Sequence, residues 1–219
     1  MLKPYYQKHP NYYNDRGEQV PSVTTVLAIL QKDFMIPWVV KLAKQNKDYR
    51  VVSSEASRIG TLAHAKVQGF IEGEAVDDYG YPESHVEAAN TALMSFKEWS
   101  HQHDIEPIFC EKMFVHQELD YGGTVDAFMK VDGVPTIIDF KTSKSISSGY
   151  YTQLAAYNAV MAQYGYRAEQ VAVLRLSKEL GVVATEYRTM DMEDLELHWE
   201  FFQALLKTYS LKAALEERK

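Results

Sequence analysis

Between positions 111 and 157 the apolar residues change from alternation to a spacing of three and four, so strands should give way to a helix. Three alternating segments, at 113–117, 124–131 and 136–141, are predicted strands. The predicted turns between them are Tyr121-Gly122-Gly123 and Asp132-Gly133, both good turn chemistry. Upstream, Ser22 caps a short predicted helix reaching Leu30, and Pro37 suits the first turn of another ending near Lys47. A long helix is predicted over 54–73, its buried side marked by Ile59, Leu62, Ala63, Phe70 and Ile71. An amphipathic helix follows over 83–103 with Val86, Leu93, Phe96 and Trp99 inward, which leaves His85, His101 and His103 to solvent. Beyond the predicted strands, Ser147 or Ser148 caps a further helix. Strands at 168–176 and 182–188 then meet near Leu180-Gly181, and a last helix over 192–217 aligns Leu195, Trp199, Phe202, Leu205, Leu206 and Tyr209. The expected architecture is α/β: a small central mixed sheet flanked by helices, with an N-terminal helical section.

Length changes that picture little. A chain of 219 residues with 46% hydrophobic content buries one substantial core, so a single domain is expected. Its parts would be a hairpin and helical section over 1–50, a core over 51–190 and a terminal helix over 191–219. The lone cysteine, Cys110, excludes an intrachain disulfide framework and fits a reducing cytosol. No run of about 18 apolar residues is present, and the opening fifteen residues lack the apolar stretch of a signal peptide. A cytoplasmic protein without a membrane span is the expectation.

A net charge of −7 argues against coating duplex DNA by electrostatics alone. The charge is uneven: residues 1–50 hold eight Lys/Arg against four Asp/Glu, and residues 190–219 hold four against seven. Any nucleic acid would therefore favour the N-terminal region. There, Tyr5, Tyr6, Tyr12 and Tyr13 lie among Lys3, Lys8 and Arg16, where they can stack on unpaired bases or pack a hairpin onto the body. Lys41, Lys44 and Lys47 recur every three residues, as a phosphate-facing stripe or a plain solvated face.

Two acids interrupt apolar strands: Asp126 between Val125 and Ala127, and Asp139 between Ile138 and Phe140. Strand alternation puts Asp139 and Lys141 on one face. If the two segments pair through Asp132-Gly133, the carboxylates approach each other with the lysine beside them. Two desolvated carboxylates repel unless a cation bridges them, one binds a proton, or the lysine compensates. A hard divalent ion such as Mg²⁺ or Mn²⁺ suits oxygen ligands. The ammonium could then orient an attacking water and offset charge building on a phosphate. An Asp-x-Lys alone also fits a solvated strand end.

The run Gly123-Thr124-Val125-Asp126, then Ile138-Asp139-Phe140-Lys141-Thr142, then Gln153-Leu154-Ala155-Ala156-Tyr157, resembles the PD-(D/E)xK nuclease superfamily. It is most similar to the RecB-like exonuclease branch, which includes phage-type and mitochondrial genome maintenance exonucleases. An upstream helical histidine belongs to that pattern, and Gly60-Thr61-Leu62-Ala63-His64 is similar to it. The segment from Pro21 to Leu27 is also similar to a segment of the mitochondrial and phage-type members. The likeness covers about residues 20–160, and the ordered set is far more specific than any part. Two departures stand out: Val125 replaces the proline of the name, and one cysteine cannot build the iron–sulfur cluster of some relatives.

The resemblance implies a Mg²⁺- or Mn²⁺-dependent deoxyribonuclease, acting on DNA ends or single strands in phage or prophage replication, recombination or repair. Proteins of replication or recombination would be its partners besides DNA. Asp126, Asp139, the Phe140 carbonyl and His64 would be metal ligands, and Lys141 the catalytic lysine. A helical histidine on its own is more often structural; as a nitrogen donor it would favour Mn²⁺ over Mg²⁺. Glu111 matches an often acidic position, where it holds metal, Lys141 or water, or else lies in a surface ion pair. Gln153 and Tyr157, four residues apart on one helix face, would organise the site or substrate, or simply pack. Arg58, Thr142 and Lys144 would meet substrate phosphates. The competing functions are a sequence- or structure-specific endonuclease and a DNA-binding module without catalysis.

Overall fold

A computed structural model describes residues 11–30 and 35–216. Tyr5, Tyr6, Lys3 and Lys8, expected near nucleic acid, lie outside the described residues. Strands β1 (Tyr12–Tyr13) and β2 (Gln19–Val20) form a small hairpin. Helices α1 (Val23–Leu27), α2 (Met35–Lys44), α3 (Tyr49–Glu72) and α4 (Glu83–Ser100) follow. Strands β3 (Ile105–His116), β4 (Tyr121–Val131) and β5 (Val134–Lys141) lead into helix α5 (Gly149–Gln163). Strands β6 (Gln170–Leu176) and β7 (Thr185–Asp191) and helix α6 (Met192–Glu216) complete the chain.

The mixed sheet runs β3-β4-β5-β6-β7, antiparallel everywhere except where α5 carries the chain from β5 to a parallel β6. The β4–β5 turn is legible in its residues. Asp132 and Gly133 have φ of 51° and 84°, the two positive values a two-residue hairpin needs, and Val131 pairs with Val134.

From Ala127 onward alternation divides the core in two, and a break at Asp126 turns Val125 to the face opposite Ala127. Ala127, Met129, Ile138 and Phe140 pack toward α3 and α4 with Leu62, Val67, Phe96 and Trp99. Val125, Phe128, Ile137 and Val173 pack toward α1, α5 and α6 with Leu154, Val160 and Phe202. Each such side chain, removed from water, contributes about 1.5–3 kcal/mol. No helix among the described residues is long and apolar enough to cross a membrane.

Several expectations are corrected. Tyr121-Gly122-Gly123 is strand, and the turn lies before it, with Asp120 at φ 51°. The two glycines serve close approach: a Cβ on Gly122 would sit 2.4 Å from the Tyr12 ring, and one on Gly123 2.5 Å from Tyr157. Helix α3 starts at Tyr49, five residues before the expected start, because Asp48 accepts from the Arg50 N–H as its cap. Strand β3 starts eight residues before the expected 113, where polar positions hid its alternation. Phe70, expected inside, is exposed and lies under the Lys97 ammonium. His85, expected outside, is buried. Ser148 precedes α5 without a side-chain cap, while the Ser147 hydroxyl accepts from the Gly149 N–H at 3.3 Å.

Candidate active site

The β4–β5 ladder closes from Val131/Val134 up to Ala127/Ile138 and then stops. Asp126 and Asp139 are the next residues on each strand. Where the strands part, the Phe140 N–H has no ladder partner on β4; it donates instead to Asp126 Oδ2 at 2.9 Å. A side-chain carboxylate has thus taken the place of a backbone acceptor, which fixes it at the mouth of the split.

Helix α3 crosses beneath that split and brings in His64. Its Nδ1 lies 3.5 Å from Asp126 Oδ2 and 4.0 Å from Glu111 Oε1. The imidazole stands edge-on to the Phe140 ring, with 6.0 Å between ring centroids. Burial lowers the His64 pKa, with Asp126 opposing, so the ring is held toward its neutral, ligand-competent form. Glu111 reaches the same place from β3 at φ 45°, a left-handed backbone rarely tolerated by a non-glycine residue.

One ligand atom from each of His64, Glu111 and Asp126 falls within 4.8 Å of the other two. Ligands of an octahedral Mg²⁺, at about 2.1 Å from the ion, lie about 3 Å apart when adjacent and about 4.2 Å when opposite. The spacings therefore fit a divalent cation after small adjustment. Electrostatics point the same way. Burial pushes Glu111 up to about 8, and repulsion from Asp126 and Asp139 adds to it.

Asp139, beside the split on β5, is only 1% exposed. The Lys141 ammonium lies 2.6 Å from both its oxygens, but only Oδ1 receives an aligned hydrogen bond. Asp139 Oδ2 is buried and lacks an aligned donor, but it has the Lys141 ammonium as its counter-charge. Burial, with Asp126 adding to it, raises Asp139 to about 7 against the opposing pull of Lys141. Burial works against the Lys141 charge, yet Asp139 and Asp126 outweigh it and hold the ammonium above its ordinary pKa.

Around this centre, Gln153 donates to the Tyr157 hydroxyl at 2.9 Å, and both are buried. Burial, then Asp126 and Asp139, raises Tyr157 well above the ordinary tyrosine value, so it stays protonated. Thr142 sits beside Gly60, where an added Cβ would lie 3.4 Å from the threonine hydroxyl oxygen. Lys144 is exposed at the strand's exit, and Arg58 lies over the Tyr81 ring at 5.6 Å.

Tyr12, read from sequence as stacking on bases or packing a hairpin, shares a 2.8 Å hydroxyl hydrogen bond with Thr124, two residues from Asp126. Two participants escape sequence reasoning. Tyr150 lies under the Lys141 ammonium at 5.0 Å. Lys178, just past β6, has its pKa lowered by burial and by Lys144, so two cations share the rim. The parallel β5–β6 register places the two exit loops side by side; without that pairing, nothing marks Lys178.

No protein-family model matches the chain, and no curated protein matches it. Among solved structures it is similar to one titled as the crystal structure of LHK-Exo in complex with dAMP. The identity is 11% and the TM-score 0.37, over 75% of this chain and 93% of that one.

Proposed function

We propose that this chain is a metal-dependent DNA exonuclease that hydrolyses phosphodiester bonds from DNA ends or single strands. The observation that carries the reading is the convergence of His64, Glu111 and Asp126 within 4.8 Å, beside the Asp139–Lys141 pair at 2.6 Å. Three potential ligands and a paired ammonium at a strand split are hard to explain as a solvated rim.

His64, Glu111, Asp126 and Asp139 would hold Mg²⁺ or Mn²⁺, the imidazole favouring Mn²⁺. Such an ion, when bound, supplies Lewis acidity toward a phosphoryl oxygen and acidifies water. The remaining work belongs to the chain. Asp139 keeps Lys141 charged and in place. Lys141 orients the attacking water and offsets negative charge as it builds on the phosphate. The Phe140 N–H fixes Asp126. Gln153 and Tyr157 form a rigid polar wall, while Thr142, Lys144, Lys178 and Arg58 line the route for neighbouring phosphates.

The test uses end-labelled linear and circular DNA, single- and double-stranded, each with Mg²⁺, Mn²⁺ or EDTA. Linear DNA should be shortened from its ends in Mn²⁺, circular single strands should survive, and EDTA should abolish the reaction. Cutting of circles would make the enzyme an endonuclease. DNA binding without cleavage under every metal condition would make it a non-catalytic module.

A further inference from the structure

Lys141 ends in an ammonium on a flexible four-carbon stem, yet its side chain is only 19% exposed and its end is held from two directions. Asp139 stands 2.6 Å away, and the centre of the Tyr150 ring lies 5.0 Å from the nitrogen. A carboxylate alone holds an ammonium at one point, about which the stem can pivot. An aromatic face adds a second attraction through its quadrupole, stronger where water is excluded. Arg175, the neighbour of Lys141 across the parallel β5–β6 ladder, bonds to Glu186 at 2.8 Å and so leaves both partners to the lysine. The sequence prepares the contact. Tyr150 is the second residue of α5, three before Gln153 and seven before Tyr157, so all three share one helix face. Its N–H donates to the Ser147 carbonyl at 3.1 Å, its ring packs against the apolar core, and Tyr151 beside it is buried. The turn that carries the ring is thereby tied down.

We infer that Tyr150 is a positioning residue, which holds the Lys141 ammonium against Asp139 so that its remaining N–H meets the phosphate or the attacking water. This rests on Lys141 being the cation that serves hydrolysis. An ammonium has three N–H donors. Asp139 accepts one and the ring covers a second side, so the third is left for substrate. Without the ring the ammonium keeps its carboxylate partner and its charge but swings about that partner, and the productive geometry becomes one of several. The loss falls on the chemical step rather than on DNA binding, because neighbouring phosphates are met by other side chains. The working part of the tyrosine is its π face, so the hydroxyl is dispensable.

Tyr150→Phe, Tyr150→Leu and a trifluorinated phenylalanine at position 150 separate the face from its bulk, in the full chain, with near-UV circular dichroism to check each fold. Steady-state digestion of end-labelled linear single-stranded DNA in Mn²⁺ gives kcat and KM. Lysine labelled with ¹³C at its ε-carbon reports the contact by NMR without any catalysis, the Lys141 signal being assigned by its loss in Lys141→Arg. The wild type should show that signal shifted upfield by the ring, and Tyr150→Phe should keep the shift and hold kcat within about twofold. Tyr150→Leu should lose the shift and lower kcat by about fivefold to thirtyfold, with KM within about twofold. The fluorinated ring, similar in shape but with a depleted face, should give a kcat between those of Tyr150→Phe and Tyr150→Leu. An unshifted wild-type signal, a Tyr150→Leu protein with wild-type kcat, or a fluorinated variant as active as Tyr150→Phe overturns the inference. A wild type that shows the shifted signal but cleaves no DNA overturns the nuclease reading, and the role in hydrolysis falls with it while the contact stands.

Discussion

Glu111 concentrates the cost of the site. It combines a left-handed backbone with a pKa pushed up to about 8, chiefly by burial. A carboxyl whose folded pKa exceeds its unfolded value loses stability as pH climbs from the unfolded value to the folded one. The metal-free chain should therefore weaken between about pH 4.5 and about 8. Mn²⁺ should raise the melting temperature at pH 8 and hardly at all at pH 5, where protons compete for the ligands. Glu111→Gln should flatten this dependence and gain about 1–3 kcal/mol without metal, while Mn²⁺ loses its effect. Thermal melts at the two pH values, with and without Mn²⁺, check both; a melting temperature indifferent to Mn²⁺ at pH 8 would refute the ligand set. Asp126→Asn should lower cleavage by about 10²–10⁴-fold in a steady-state assay, with the fold intact. Cys110 is pushed up to about 12 by burial, then by Glu72 and Glu111, so alkylation of the native chain at pH 8 should be slow.

Strands and turns carry their own lesson. Asp132-Gly133 announced its hairpin because a two-residue turn demands two positive φ values, a local requirement. Gly122 and Gly123 misled because their reason is tertiary: Tyr12 and Tyr157 occupy the space where side chains would be. Asp126, Asp139 and Lys141 stood out as charges in apolar strands, and strand alternation paired Asp139 with Lys141 correctly. What alternation could not convey is the split of the ladder beyond Ala127 and Ile138, which frees Asp126 to face His64 and Glu111 while Asp139 keeps to the lysine. Glu111 was ambiguous for a similar reason, since its direction follows from its unusual backbone. Gly123→Ala should thus destabilise by about 1–3 kcal/mol in urea unfolding. Combining it with Tyr157→Leu should cost less than the two changes summed, because the second makes room for the first. Strict additivity would show that the 2.5 Å approach does not matter.

The sheet is covered on both sides, so its middle strands are the most secluded part of the molecule. Amides of Ile137, Ile138 and Val173 should resist hydrogen exchange longest, while the β1–β2 hairpin, held largely by Tyr12, Asn14 and Arg16, should exchange early. That arrangement gives the chemistry a firm base. Asp126 stands midway along β4, Asp139 and Lys141 toward the end of β5, and His64 on a helix packed across them. Acidic net charge and a basic rim are then compatible, because the negative charge includes the acids at the centre and a cation bound there would reverse the local field. The decisive measurement separates metal binding from cleavage in Lys141→Ala, by Mn²⁺ calorimetry and by digestion of end-labelled linear single-stranded DNA. The variant should bind Mn²⁺ at least as tightly as the wild type and leave the DNA intact. A Lys141→Ala protein that digests DNA at the wild-type rate, or a wild type that neither binds Mn²⁺ nor cleaves, would contradict the assignment of this site.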